Sequence, residues 1–118
     1  MALYESAKVK ERMSIRSADT TFDTTIGNLG TQCDSEVIEK IRTARKERKL
    51  ESLPPIDASS TDIPQMLKDA STDRVVAYMF LIKQRIDTYV KFKEKSDLAI
   101  DDYIMVLEQD KLLYGDMV

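Results

Sequence analysis

The sequence predicts an all-α domain, a small bundle of three main helices with a short N-terminal helix ahead of them. Three observations predict it. Only three Gly and three Pro occur in 118 residues, too few for the turns of an all-β sandwich. One apolar stripe, Phe22, Ile26, Leu29, Cys33, Val37, Ile41 and Ala44, keeps spacings of 4, 3, 4, 4, 4 and 3 and stays on one helix face. Apolar residues at 42% against 33% charged suit one packed core under a solvated surface. A chain of this length can bury about two thirds of its unfolded surface, so residues 1–118 read as a single domain with a loop at 50–61 and a tail at 113–118.

The first helix is expected from Leu3 to Ile15, with Leu3, Ala7 and Met13 on one side and Val9 nearby. Isolated helices this short are marginal in water, so it must dock on the rest. Arg16 to Thr21 connects, and Asp19, Thr20 and Thr21 are the candidate caps of the next helix. The stripe above then predicts a helix over most of Thr20 to Lys49. Gly27 and Gly30 inside it each cost ~1 kcal/mol against Ala. Because the stripe keeps its phase across both, they are read as sites of close approach by a neighbour. Leu50 to Thr61 carries two adjacent prolines and no helical period, which marks the loop. Thr61 or Asp62 is placed to cap the third main segment and Pro64 to sit in its first turn. That helix is expected from Gln65 to about Lys95, through Leu67, Ala70, Ala77, Phe80, Leu81 and Gln84. Its middle, VVAYMFLI from Val75 to Ile82, is apolar nearly all round. A helix buried on several faces is favoured there over a strand, since helix formers flank the run and no turn signal bounds it. The polar KFKEKSD stretch predicts a break, with Ser96 or Asp97 capping a last helix from Leu98 to about Leu113 and Gly115 stopping it.

The residue inventory excludes most site chemistry. There is no histidine, which removes catalytic triads and the usual zinc sites. The single cysteine, Cys33, rules out an internal disulfide and lies on the core stripe, where a small buried hydrophobe is expected. Asp97, Asp101 and Asp102 cluster, but no Glu-x-x-His pair accompanies them, and acids are favoured at a helix start by its dipole. The Gly27-Asn28-Leu29-Gly30 segment lacks the lysine and strand context of a phosphate loop. No catalytic residue, cofactor or metal is predicted, and the expectation is a non-enzyme. The longest apolar run has eight residues, far below the ~20 that span a bilayer, and no signal-peptide block opens the chain.

Charge is the informative feature. Lys40, Arg42, Arg45, Lys46, Arg48 and Lys49 against Glu47 give 40–49 a balance of +5, while 96–118 holds six acids against Lys111, a balance of −5. The net charge of −3 therefore hides two poles. Three uses compete: a solvated helix end favoured by the dipole, a nucleic-acid contact without aromatic residues for base readout, or a basic pole of one copy meeting the acidic pole of the next. Leu112, Leu113, Tyr114, Met117 and Val118 add an apolar end, expected to dock on the chain's own core or on a partner.

The order of these pieces resembles the head–tail adaptor (connector) proteins of tailed bacteriophages. The carriers are a short helix reading VKERMSI, a start at Asp19, the run FDTTIGNLGTQCDSEVIEKI with Glu39 and Ile41, the Leu53-Pro54-Pro55 loop, the Pro64-started helix with AYMFL, and a last helix with DDYIMVLEQ. The resemblance implies a structural virion protein at the head–tail junction, assembled in the host cytoplasm. It implies a self-made ring, commonly twelve-fold, that sits below the portal, extends the DNA channel and docks the next tail or stopper component. DNA passes without sequence-specific binding, and no membrane is involved. The interaction residues expected are the basic run from Lys40 to Lys49, the acids Asp97, Asp101 and Asp102, and the apolar end. The alternative is a small helical nucleic-acid-binding module that uses the basic run 40–49.

Overall fold

The computed structural model describes residues 3–49 and 63–114, residues 110–114 by backbone alone, and four helices make up most of these described residues. They are α1 (Ser6–Arg12), α2 (Asp23–Glu47), α3 (Gln65–Ile82) and α4 (Ile86–Tyr114). No strand occurs among the described residues, and the all-α bundle with a short first helix is the fold found. The VVAYMFLI run is helical. Val75, Val76, Ala77 and Met79 are all buried, because α3 is packed by α1, α2 and α4 at once.

Two apolar clusters form the core. One joins Leu3, Val37, Ile41, Leu67, Ile100 and Ile104 with their neighbours. The other joins Val9, Ile26, Cys33, Val75, Val76 and Met79. The α2 stripe runs through both, although Phe22, Leu29 and Ala44 are only half-buried at its edge. Between the clusters lies a buried polar layer that hydropathy alone does not announce: Asp34, Ser71, Thr72, Asp73, Arg74 and Ser96. Asp34 accepts the backbone N–H groups of Leu3 (3.0 Å) and Tyr4 (3.1 Å) and the Ser71 hydroxyl (2.6 Å). Thr72 accepts the Glu5 N–H at 3.0 Å. These bonds satisfy the backbone where the chain enters α1 and fasten that short helix to the bundle.

Gly30 is where Tyr4 crosses α2. A Cβ there would fall inside the Tyr4 ring, whereas one at Gly27 would meet only the hydroxyl at 4.0 Å. Close approach is thus the reason for Gly30.

Several boundaries differ from expectation. Helix α1 is shorter than Leu3 to Ile15, and Ala7 faces solvent while Val9 enters the core. Phe22 occupies the cap position of α2, and Asp19 instead accepts the Thr21 N–H at 2.9 Å in a local turn. Pro64 takes the cap position of α3. The largest difference is the break between the last two helices, which falls at Lys83–Arg85; KFKEKSD lies within α4, and Ser96 and Asp97 are mid-helix residues, not caps. Gln84 at φ 59° ends α3 in a left-handed turn, with Arg85 N–H bonded to the Phe80 carbonyl (2.9 Å) and Gln84 N–H to that of Leu81 (2.9 Å). That is a Schellman motif without its usual glycine. The 50–61 loop, Thr61, Asp62 and Gly115 lie outside the described residues.

Candidate functional site

The basic run ends α2, and α2 lies beside α4 with both chains running the same way. Lys40 consequently faces Asp97 at 3.7 Å and Arg48 faces Glu108 at 2.7 Å. The two poles that the sequence sets against each other between copies meet in part within one chain. Arg42 pairs with Glu39 on its own helix at 2.8 Å. Arg45 is only 6% exposed and belongs to the interior. Lys46 and Lys49 are exposed, Lys49 in a left-handed turn at φ 58° just past the helix. The run therefore presents no continuous basic face, since Glu39, Glu47, Asp97 and Glu108 are interleaved with it.

A groove of about 550 Å³ opens between α2 and α4, with Ile100 and Ile104 on its floor and Glu36, Lys40, Arg74 and Asp97 on its walls. Arg74, 2% exposed, is its anchor. Its guanidinium donates to Glu36 Oε2 (3.2 Å), Asp97 Oδ1 (2.8 Å) and Ser96 Oγ (3.0 Å), and Ser96 donates in turn to the Ala70 carbonyl (2.7 Å). Burial opposes the Arg74 charge, but the hydrogen bond and field of Asp97, with Glu36, outweigh it and hold the guanidinium above its ordinary pKa. Burial likewise opposes the Asp97 charge, and donation from Arg74 outweighs it, so that carboxyl titrates below its ordinary value. The Tyr78 hydroxyl donates to Glu36 at 2.8 Å, and burial followed by that carboxylate raises its pKa. One cation thus ties three helices together, with its charge already matched.

Nothing in this groove pairs a nucleophile with a base. Cys33 is buried, and burial pushes its thiol up to about 12, far from a reactive thiolate. Among the described residues no three His, Cys, Asp or Glu side chains stand together as a metal site. Asp101 and Asp102 are exposed and make no ion pair among the described residues. Leu112, Leu113 and Tyr114 belong to the last turn of α4, while Met117 and Val118 lie outside the described residues. No helix among the described residues is long and apolar enough to cross a membrane.

Sequence reasoning missed an exposed apolar surface at the turn between α3 and α4. The α3–α4 turn leaves Ile82 62% and Ile86 55% exposed, with Leu81 and Val90 beside them. On the same stretch of chain as this tip, the cations Lys83, Arg85 and Lys91 and one acid, Asp87, are exposed. Residues 83–95 carry five cations against Asp87 and Glu94, a balance of +3. That balance was the available signal, hidden while the stretch was divided between a helix and a break. A second exposed apolar surface lies farther along α4, where Leu98 (61%), Met105 (51%) and Val106 flank Asp101 and Asp102. Comparison of the chain with protein families, characterised proteins and solved structures finds no match.

Proposed function

We propose that this chain is a structural, non-enzymatic protein, a head–tail adaptor of a tailed-phage virion. Copies form a ring below the portal, extend the DNA channel and offer a platform to the next tail component. The observation that carries the reading is the pair of separate, exposed apolar surfaces, one at the α3–α4 turn at Ile82–Ile86 and one farther along α4 at Leu98–Met105. Scattered exposed apolar residues are ordinary on a monomer, but two groups of large side chains in different places suit a subunit with two neighbours. The matched charges of the groove support a wall that DNA passes without being gripped. The nucleic-acid module gains nothing from the basic run, because its cations are interleaved with acids.

The test is native mass measurement with negative-stain imaging of the purified chain, alone and mixed with a tailed-phage portal protein. Annular particles that join the portal are expected. A monomer at every concentration that binds duplex DNA with a steep loss of affinity in salt would replace this reading with the nucleic-acid module.

A further inference from the structure

We infer that the α3–α4 tip of one copy docks on the mid-α4 face of the next, a head-to-tail contact that rests on the ring reading above and names its two surfaces. The tip offers Ile82 and Ile86 with the exposed cations Lys83, Arg85 and Lys91 and one exposed acid, Asp87, on the same stretch of chain. The face offers Leu98 and Met105 around Asp101 and Asp102. Each surface combines large exposed apolar side chains with charged neighbours, the mixture found at protein contacts.

Charge decides which surface meets which. Around the tip Lys83, Arg85 and Lys91 stand against Asp87, a balance of +2 with Lys83 over the Phe22 ring at 5.5 Å, and Lys95 instead lines a pocket with Leu98 and Asp102; residues 96–110 hold five acids and no cation. Two of those acids, Asp97 and Glu108, already face Lys40, Arg74 or Arg48 within the chain. Asp101 and Asp102 keep their charge for a partner. A two-fold contact of tip on tip would set cation against cation, and face on face would set acid against acid. Only tip on face brings opposite signs together. The occupant of each surface is therefore a second copy of this chain. The two surfaces are centred near Ile86 and near Asp101–Asp102, about 24 Å apart along α4 at 1.5 Å per residue. Because they are different and separated, the contact is heterologous, and it repeats until a ring closes.

The experiment uses two full-length variants, Ile82→Asp/Ile86→Asp at the tip and Leu98→Asp/Met105→Asp on the face, studied by sedimentation with circular dichroism as a check of folding. Wild type should associate with rising concentration. Each variant alone should need at least tenfold more protein to associate. Their equimolar mixture should form a dimer and nothing larger, because only one intact tip and one intact face remain per pair. Should either variant lose helicity, the milder reversals Arg85→Glu and Asp101→Lys answer the same question. Each alone should weaken association, and the mixture should regain a contact between the reversed tip and the reversed face. If wild type assembles and the variants assemble equally well, or the mixture stays monomeric, the contact lies elsewhere and this inference falls while the ring reading stands. If wild type is monomeric throughout, both fall. Wild type that stays monomeric yet binds duplex DNA or phosphatidylserine vesicles through the tip would assign that surface to a polyanion and overturn the contact.

Discussion

Replacing Gly30 by Ala should destabilise this protein although it improves the helix, and the sign should reverse once Tyr4 is removed. Inside α2 an alanine is worth ~1 kcal/mol over glycine. Against that gain stands the Tyr4 ring, whose body occupies the place of the new methyl group. The ring cannot simply recede, because the Tyr4 N–H is held on Asp34 at 3.1 Å and the Leu3 N–H beside it at 3.0 Å. It must swing off the cluster of Val9, Ile26 and Cys33 or push against α2, and overpacking of this kind costs ~1–3 kcal/mol. The net expectation for Gly30→Ala is a loss of ~1–2 kcal/mol. In a Tyr4→Ala background the clash is gone and the same change should gain ~0.5–1 kcal/mol, a coupling of roughly 2 kcal/mol across the pair. Gly27→Ala is the control, since its methyl group meets only the Tyr4 hydroxyl at ordinary contact distance, and it should be neutral or stabilising. Urea unfolding followed by circular dichroism reads wild type and all four variants. A gain from Gly30→Ala in both backgrounds would show that Tyr4 does not cross α2 there.

Arg74→Met should lose ~2–4 kcal/mol in the same assay, at the lower end for a broken buried pair because Glu36 and Asp97 keep partial access to water. Asp97 titrates below its ordinary value in the fold, so its contribution is present above that value and fades as pH falls through the depressed one; the gap between Arg74→Met and wild type should therefore narrow in strong acid, and a constant gap would count against the pairing. Asp73 behaves oppositely: burial raises its carboxyl, and Arg12 Nη1 lies 3.1 Å away without a hydrogen bond on either atom. Its penalty is fully present above the raised pKa and is relieved as pH falls through it. Asp73→Asn should thus be neutral or stabilise by up to ~1 kcal/mol at pH 7, with the difference shrinking toward the ordinary carboxylate range, and a loss at pH 7 would mean that Arg12 outweighs burial. Gln84→Gly should stabilise by up to ~1 kcal/mol, since a residue other than glycine is strained at φ 59°; a loss would refute that strain. Lys40→Glu with Arg48→Glu should cost about 1–2 kcal/mol by breaking two exposed contacts to α4 and creating repulsion, whereas Arg42→Glu should stay within about 0.5 kcal/mol.

The fold class was legible because a helix period survives substitution at single positions. The α2 stripe kept Ile26, Cys33, Val37 and Ile41 in the core, and its phase also explained Gly30. The bounds of α2 and the start of α3 were legible to within a few residues, but the ends of α1 and α3 were not, for a physical reason seen just past the helices. Ser14, Lys49 and Gln84 all adopt a left-handed conformation just past a helix, at φ of 58°, 58° and 59°, and none is glycine. Without glycine or asparagine at that position the sequence carries no stop signal, so α3 ran on to Lys95 in the reading and the tip disappeared inside a helix. The polar layer was hidden in a different way. Ser71, Thr72, Asp73 and Arg74 are polar, and only tertiary packing supplies the partners that let them be buried.

The same packing changes what the two charged poles can do. As sequence they are equivalent sources of attraction, free to meet any partner. In the fold, α2 is laid along α4 so that Lys40 and Arg48 meet Asp97 and Glu108, and Arg74 adds its charge to the same line. Those exposed contacts contribute only ~0.2–1 kcal/mol each, yet they determine the register in which α2 sits on α4. A triple reversal of Arg42, Arg45 and Arg48 would therefore report mainly on the monomer, since Arg45 is buried and Arg48 is engaged within the chain. Surfaces for neighbours must be sought where charge and apolar area remain unmatched after folding. On this molecule that condition selects the Ile82–Ile86 tip and the Leu98–Met105 face of α4, and it moves the assembly question from the end of α2 to the length of α4.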